Sequence, residues 1–279
     1  MKIGFVDYYI SEWHANNYPR WIAQMCEAYG FDAKIAYAWA EMDVSPVDGV
    51  DTDTWCAENG AIRCNTIDEL CEKSDAIVIL APSDPKKHVE YAKAVFKYKK
   101  PTYIDKTFAE NYGAAKEIFD EADKYGVKFF STSALRYADE LDVAKGAVRI
   151  CTTGGGSNIE EYAIHQIEMI VKTMGVGFDG VTYKKEDNVD TFELTMKNGN
   201  TAKISYAENL GFGFEATLEN GENVSAKARS SYFKTLMKTI LEFFATGELP
   251  FDAKQTLEAM RVRDAVLTSM KTENVKLEF

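Results

Sequence analysis

From residue 2 to residue 130 the chain alternates short runs of β-branched residues with longer stretches of helical period, and this alternation restricts the fold more than any other feature. Strands are expected at Lys2 to Val6, Ala33 to Ala38, Ala76 to Leu80, Thr102 to Ile104 and Lys128 to Phe130. Between them, helices are expected at Tyr18 to Tyr29, Pro85 to Lys97 and Asn111 to Tyr125, the last closed by Gly126 in a left-handed cap. Strands joined through helices pair in parallel, so this part reads as a Rossmann-like, doubly wound α/β sheet. The acidic segment Glu41 to Gly60, with Pro46 and weak periodicity, reads as an irregular connection and a candidate mobile loop.

Beyond Ser131 the pattern changes. A helix over Ile159 to Met174 stops at Gly175, and alternating segments follow at Gly180 to Lys184, Thr191 to Met196, Thr201 to Tyr206, Phe212 to Leu218 and Asn223 to Ala228. Asn198-Gly199 and Asn220-Gly221 stand between successive runs as type I′ hairpin turns, which predicts an antiparallel meander. Two helices, Ser230 to Thr246 and Asp252 to Lys271, and a short strand from Val275 to Phe279 close the chain. The expected architecture is a Rossmann-like domain over 1–131 followed by an α+β domain with a mainly antiparallel sheet over 132–279.

At 279 residues the chain has room for two cores. Its formal net charge of −12 argues against a phosphate-binding surface, and so against nucleic acid as a partner. Cys26, Cys56, Cys64, Cys71 and Cys151 show no CxxC spacing and read as free thiols of a reducing compartment. The start lacks a basic segment followed by an apolar run, and no stretch approaches the roughly 20 apolar residues that span a bilayer. A cytoplasmic protein without a membrane partner is expected.

The opening strand carries a conflict. Lys2 to Val6 begins like a dinucleotide-binding unit, yet Asp7, Tyr8, Tyr9, Ile10, Ser11, Glu12, Trp13 and His14 follow where a glycine-rich turn lets a pyrophosphate approach a helix N-terminus. An aspartate facing a pyrophosphate adds repulsion as well as bulk. The acidic residue that binds ribose hydroxyls after the second strand falls near Trp39, with Glu41 two places on. Two readings stand at this point: a dinucleotide bound in a shifted pose, or a polar cluster of Asp7, Tyr8, Tyr9, Glu12, His14 and Asn16 holding a different ligand. Three such side chains in one loop, Asp7, Glu12 and His14, are more often unrelated surface groups than metal ligands, and no metal site is assigned.

Asp75 to Pro82, then His88, then Lys100-Pro101-Thr102-Tyr103-Ile104-Asp105-Lys106 resemble in order and spacing a block of the Gfo/Idh/MocA oxidoreductases, with Asp105-Lys106-Thr107 in place of that family's Glu-Lys-Pro. Ala114 to Phe130, Arg136-Tyr137, the run Gly154-Gly155-Gly156 with Glu161, His165 and Glu168, and Pro250 to Leu277 are similar to later family blocks. The resemblance implies hydride transfer between a nicotinamide cofactor, NAD or NADP, and a sugar, polyol or related hydroxylated small molecule. It places Asp7, Tyr8, Tyr9, Pro82, Ser83 and Lys106 on the cofactor, and Arg136 and Tyr137 on the substrate. Its catalytic set is Lys106, Glu161 and His165: the histidine takes the hydroxyl proton, the lysine polarises the oxygen, and Glu161, one helical turn before His165, orients the ring or raises its pKa.

Without the resemblance, Lys106 reads as a solvated surface lysine and His165 as a core residue beside Ile164, Ile167 and Ile170. His88 reads as structural. The resemblance also implies a homo-oligomer built on the open sheet face. A lyase or epimerase moving protons through the same residues, and a ligand-binding protein that has lost the dinucleotide, are the alternatives.

Overall fold

The computed structural model describes residues 1–82 and 84–277. The chain divides into two compact units, Met1–Thr132 with Phe233–Phe251, and Ser133–Tyr232 with Asp252–Phe279.

The first unit runs β1 (Lys2–Asp7), α1 (Trp13–Tyr29), β2 (Lys34–Ala40), α2 (Thr52–Asn59), β3 (Ile62–Arg63), α3 (Ile67–Lys73), β4 (Ala76–Ile79), α4 (Lys87–Phe96), β5 (Thr102–Ile104), α5 (Tyr112–Tyr125) and β6 (Phe129–Ser131). Its strands are parallel in the order β3-β2-β1-β4-β5-β6. This is the doubly wound order, in which the winding reverses between β1 and β4 and their carboxyl ends frame a crevice. Every residue of β4 is buried, as a central parallel strand covered on both faces requires. Gly126 takes the expected left-handed cap of α5, at φ 67°.

Glu41 to Gly60 is ordered, contrary to the irregular connection expected there. Asp51 caps α2 by accepting the Thr54 amide at 2.7 Å, Val44 bridges to Asp51, and buried Ser45 donates its hydroxyl to the Ser11 carbonyl at 2.8 Å. Two turns of helix leave little room for an apolar period to show, so the signal was the Asp cap followed by Asp53 in the first turn. Similarly, α1 begins at Trp13 rather than at Tyr18, because Glu12 caps it ahead of its apolar stripe.

After β6 come two 3-10 turns, Ala134–Tyr137 and Asp139–Ala144, then β7 (Ala147–Gly154), α6 (Ile159–Met174), β8 (Phe178–Glu186), β9 (Val189–Met196), β10 (Thr201–Tyr206), β11 (Gly213–Leu218), β12 (Asn223–Lys227), α7 (Tyr232–Thr246), α8 (Lys254–Thr272) and β13 (Asn274–Lys276). The second unit's sheet has the order β12-β11-β7-β10-β9-β8-β13. All neighbours are antiparallel except β7 and β10. The expected meander therefore holds for β8, β9 and β10 and for β11 and β12, but β7 inserts between the two sets. The alternating run Ala147 to Thr153 carries that strand's signal.

The two Asn-Gly turns are not type I′. Gly199 and Gly221 have positive φ, 86° and 83°, whereas the described non-glycine residues with positive φ are Ala81, Lys99, Asp187 and Glu273. The glycine amides donate to Met196 and Leu218 carbonyls at 2.9 Å, which makes each a type I turn followed by a left-handed glycine.

Residues 233–251 return to the first unit, so the expected boundary of 132–279 for a continuous second domain is corrected. Phe243 and Phe251 set their rings against Phe130, Phe233 packs on Trp13 and Trp21, and Lys128 Nζ donates to the Gly247 carbonyl at 2.8 Å. Burial of one such phenylalanine contributes about 1.5–3 kcal/mol. Sequence periodicity reports that α7 has an apolar face, not which core receives it. Among the described residues no helix is long and apolar enough to cross a membrane.

In the second unit α8 is fastened to the start of β8 by a buried pair. Glu258 Oε1 accepts the amides of Gly177 and Phe178 at 2.8 Å each, and Arg261 Nη2 donates to Glu258 at 2.9 Å and to the Phe178 carbonyl at 2.6 Å. Glu258→Ala is expected to lower the stability of this unit by about 3–5 kcal/mol, the cost of breaking a buried pair by removing one partner, as read from denaturant unfolding.

Candidate functional site

Asp7 ends β1 at the crevice, and its carboxylate is spent on the backbone. Oδ1 accepts the amides of Tyr8 at 2.7 Å and of Ala81, beyond β4, at 2.9 Å. Oδ2 is buried and has no hydrogen-bond partner among the described residues. Burial, reinforced by the nearby Glu12 carboxylate, pushes the Asp7 carboxyl well above the usual range. Tyr8 and Tyr9 are half-buried beside it, with ring centroids 5.9 Å apart.

Glu12 caps α1. Its Oε2 accepts the His14 amide at 2.8 Å and its Oε1 accepts the Ala15 amide. His14 then turns Nδ1 toward Asp105, 3.0 Å from Oδ2. Asp105 follows β5, and its Oδ1 receives the hydroxyls of Tyr18 and Tyr103 at 3.1 Å each. Tyr103 also reaches the Thr132 carbonyl at 3.1 Å. Burial beside Asp105 raises the Tyr18 hydroxyl well above its ordinary pKa, so it stays a donor. The structure thus joins Asp7, Glu12 and His14, singled out in the opening loop, to Asp105, Tyr18 and Tyr103, which were not assigned to a site. Tyrosines at helical and strand positions read as core, and only the fold brings them onto one carboxylate. Among the described residues no group of three or more His, Cys, Asp or Glu side chains is arranged to hold a metal ion.

At the end of β2 the acidic residue is Glu41. Lys87 Nζ donates to its Oε1 at 2.7 Å and the Tyr91 hydroxyl to its Oε2 at 2.8 Å, and these bonds hold its pKa below the usual value. Lys106 is half-buried at the end of β5 and makes no hydrogen bond or ion pair to a described residue. Pro82 is half-buried in the turn after Ala81, and Ser83 lies outside the described residues. His88 is structural, as expected: both ring nitrogens face carbonyls, Nδ1 that of Phe108 at 2.9 Å and Nε2 that of Leu80, and burial lowers its pKa.

In the second unit His165 is half-buried on α6, and its Nδ1 lies 2.6 Å from Ser133 Oγ. Tyr162 and Phe212 set their rings at its sides, both with centroids 5.6 Å away. The expected partner Glu161 is exposed and makes no side-chain hydrogen bond or ion pair with a described residue, because the N-terminal turn of α6 carries it toward solvent. Arg136, expected in a substrate pocket, is buried: Nη1 donates to Glu168 Oε2 at 2.8 Å and Nη2 donates to Gln255. Tyr137 is half-buried in the same 3-10 turn. Gly155 packs so tightly that a Cβ would overlap the Ala207 carbonyl.

A nicotinamide dinucleotide, the cofactor the resemblance implies, does not fit the start of α1 in the usual pose. The amides that would receive its pyrophosphate already hold Asp7 and Glu12.

Residues 44–133 match the Gfo/Idh/MocA family model, described as an oxidoreductase family with an NAD-binding Rossmann fold. Among curated proteins none matches the chain by sequence. Among solved structures, a protein described as a probable dehydrogenase from Thermotoga maritima superposes with a TM-score of 0.80 at 16% identity, over 99% of each chain. A myo-inositol dehydrogenase from Lactobacillus casei, in complex with NAD(H) and myo-inositol, gives 0.79 at 12% identity over 100% of this chain and 97% of its own. A UDP-N-acetylglucosamine 3-dehydrogenase from Acidithiobacillus ferrooxidans gives 0.75 at 12% identity over 96% and 97%. These likenesses establish a shared fold.

The raised pKa of Asp7 has a consequence for stability. The folded state binds a proton at Asp7 that the unfolded chain releases at an ordinary carboxylate pKa of about 4. The favourable term is therefore full below that value and is lost as pH rises through the higher folded pKa. Asp7→Asn, which keeps the accepting oxygen, is expected to raise the melting temperature at pH 8 and to leave it nearly unchanged at pH 4. Melting curves of both proteins across that range provide the check.

Proposed function

We propose, from the match of residues 44–133 to the Gfo/Idh/MocA oxidoreductase family model, that this protein oxidises or reduces a sugar, polyol or related hydroxylated small molecule. The observation that carries the reading is Lys106, a half-buried ammonium inside the family-matched span that is left without a partner among the described residues. It stands at the carboxyl end of a parallel strand, where this fold binds ligands, and a cation there lowers the energy of an alkoxide forming on a substrate hydroxyl. The inositol and sugar-nucleotide dehydrogenases of the same fold support the substrate class.

In this reading His165 carries the hydroxyl proton. Ser133 fixes the ring through Nδ1, and in the tautomer that donates Nδ1–H to Ser133 the basic lone pair is the one on Nε2. Ser133 takes the orienting place first given to Glu161. A nicotinamide cofactor, were one bound, would supply or accept the hydride; its phosphates do not fit the start of α1, and the chemistry assigned to this chain's own residues is the movement of the hydroxyl proton.

The same misfit favours a second reading, a lyase or epimerase in which Lys106 and His165 move protons with no hydride. Purified protein incubated with inositols and sugar derivatives, with and without NAD, separates the two. The expected outcome is substrate-dependent change in nicotinamide absorbance, with Lys106→Met and His165→Ala each lowering kcat/KM by roughly a hundred- to ten-thousand-fold and Glu161→Gln having a small effect. Epimerised or dehydrated product without nicotinamide reduction selects the second reading. Turnover that His165→Ala leaves unchanged removes His165 from the mechanism.

A further inference from the structure

The first unit carries its own anions at the place where a dinucleotide fold receives a pyrophosphate. Two sets of donors converge there: the amides of Tyr8 and Ala81 past β1 and β4, and the amides of His14 and Ala15 in the first turn of α1. Such amides ordinarily point at a bound phosphate. Asp7 Oδ1 holds the first set at 2.7 and 2.9 Å, and the two oxygens of Glu12 hold the second, with His14 at 2.8 Å. These carboxylates cannot swing away into water, since Asp7 is 1% exposed and Glu12 7%.

We infer that Asp7 and Glu12 are selectivity residues that close the pyrophosphate position of this unit, keeping dinucleotides off the start of α1 and leaving the crevice to a ligand that presents no phosphate there. Three observations support this. The donors are already used, so an incoming phosphate gains no hydrogen bond without breaking one. The charge is of the wrong sign, since the Glu12 and Asp105 carboxylates lie beside Asp7, and like charges within a few ångströms repel by several times the thermal energy even at protein-surface screening. Lys87, at the start of α4, is bound to Glu41 at 2.7 Å and so ties up the carboxylate after β2 that would take a ribose. All three contacts that hold a dinucleotide, at the turn, the helix terminus and the ribose, are thereby occupied by the chain itself. The family match begins at residue 44, beyond this loop. The inference concerns the first unit alone and does not rest on the roles given to His165 and Lys106.

The test is direct binding of NADH, followed by energy transfer from the tryptophans of α1, to the wild-type protein and to Glu12→Gln, Asp7→Asn and the double variant. Glutamine and asparagine keep an accepting oxygen, so the backbone contacts persist while the ionisable carboxyl group is removed. Thermal melts establish which variants fold, and either single variant suffices if the other does not. The wild type is expected to remain unsaturated at about 1 mM NADH, and neutralisation to tighten binding by at least roughly tenfold. Micromolar binding by the wild type that Glu12→Gln and Asp7→Asn leave unchanged or weaken overturns the inference. Failure of NADH to bind any folded variant overturns it too, because the carboxylates would not then be what keeps the dinucleotide out. Turnover assays bear only on the proposed function: a wild type that reduces NAD with micromolar affinity sustains the oxidoreductase reading while defeating this one.

Discussion

A carboxylate buried at the end of a central parallel strand must find its partners inside the protein. Asp7 does so by drawing the amides of Tyr8 and Ala81 onto one oxygen, which ties the exit of β1 to the exit of β4. The chain then has only four residues before Glu12, whose carboxylate fixes the first turn of α1 and with it the direction of His14. His14 meets Asp105 at 3.0 Å, and Asp105 in turn collects Tyr18 and Tyr103. The crevice at the strand ends is thus braced by a run of buried polar contacts in place of a bound phosphate. The run is incomplete, since Asp7 Oδ2 has no hydrogen-bond partner among the described residues. Such an atom costs on the order of 1–3 kcal/mol.

The buried charges of the second unit are of another kind. Arg136 answers Glu168 at 2.8 Å, Arg261 answers Glu258 at 2.9 Å, and Arg263 donates to the Glu160 carbonyl at 2.9 Å. Each guanidinium joins elements distant in sequence, fixing α6 and α8 and the 3-10 turn of Arg136. Arg136 is accordingly held inside the unit, its side chain 6% exposed and its partner's 4%. The rigidity so obtained has a use, because α6 carries His165 and a fixed helix holds the imidazole against Ser133.

Periodic burial is legible in a sequence, and the elements that depend on it were read closely: α6 and β10 within their observed bounds, and every strand of the parallel sheet but β3. What was missed lacks a period or depends on partners far away in the chain. α2 is two turns long, β3 two residues, and β7 precedes the meander it enters. α7 shows its apolar stripe plainly, yet only the ring of Phe130, more than a hundred positions earlier, decides which unit it joins. In the site the same division holds. Lys106 was placed by the family resemblance together with the strand that precedes it. Pairing Glu161 with His165 followed from helical spacing, but spacing gives proximity of backbone positions, and the side chain at the first turn of α6 turned to solvent while Ser133, 32 residues earlier, took the ring. Asp105, Tyr18 and Tyr103 were invisible as a set because each reads locally as strand or helix.

Whole-chain superposition at 12–16% identity shows how little of this fold depends on particular side chains. A doubly wound sheet needs apolar residues at the right period, and many sequences supply them. The loop from Asp7 to Glu12 is under no such constraint. It lies outside the helix and sheet periods, so carboxylates can replace glycines there without loss of core, provided that they satisfy the amides they uncover. Asp7 and Glu12 meet that condition. The substitution therefore costs the fold little while reversing the sign of the charge that the crevice receives, from a site of open amides to one of filled amides and buried anions. A change of that kind acts on the ligand alone, which is why the sheet of this protein can match a dinucleotide-binding family while the loop at its switch point resists the dinucleotide.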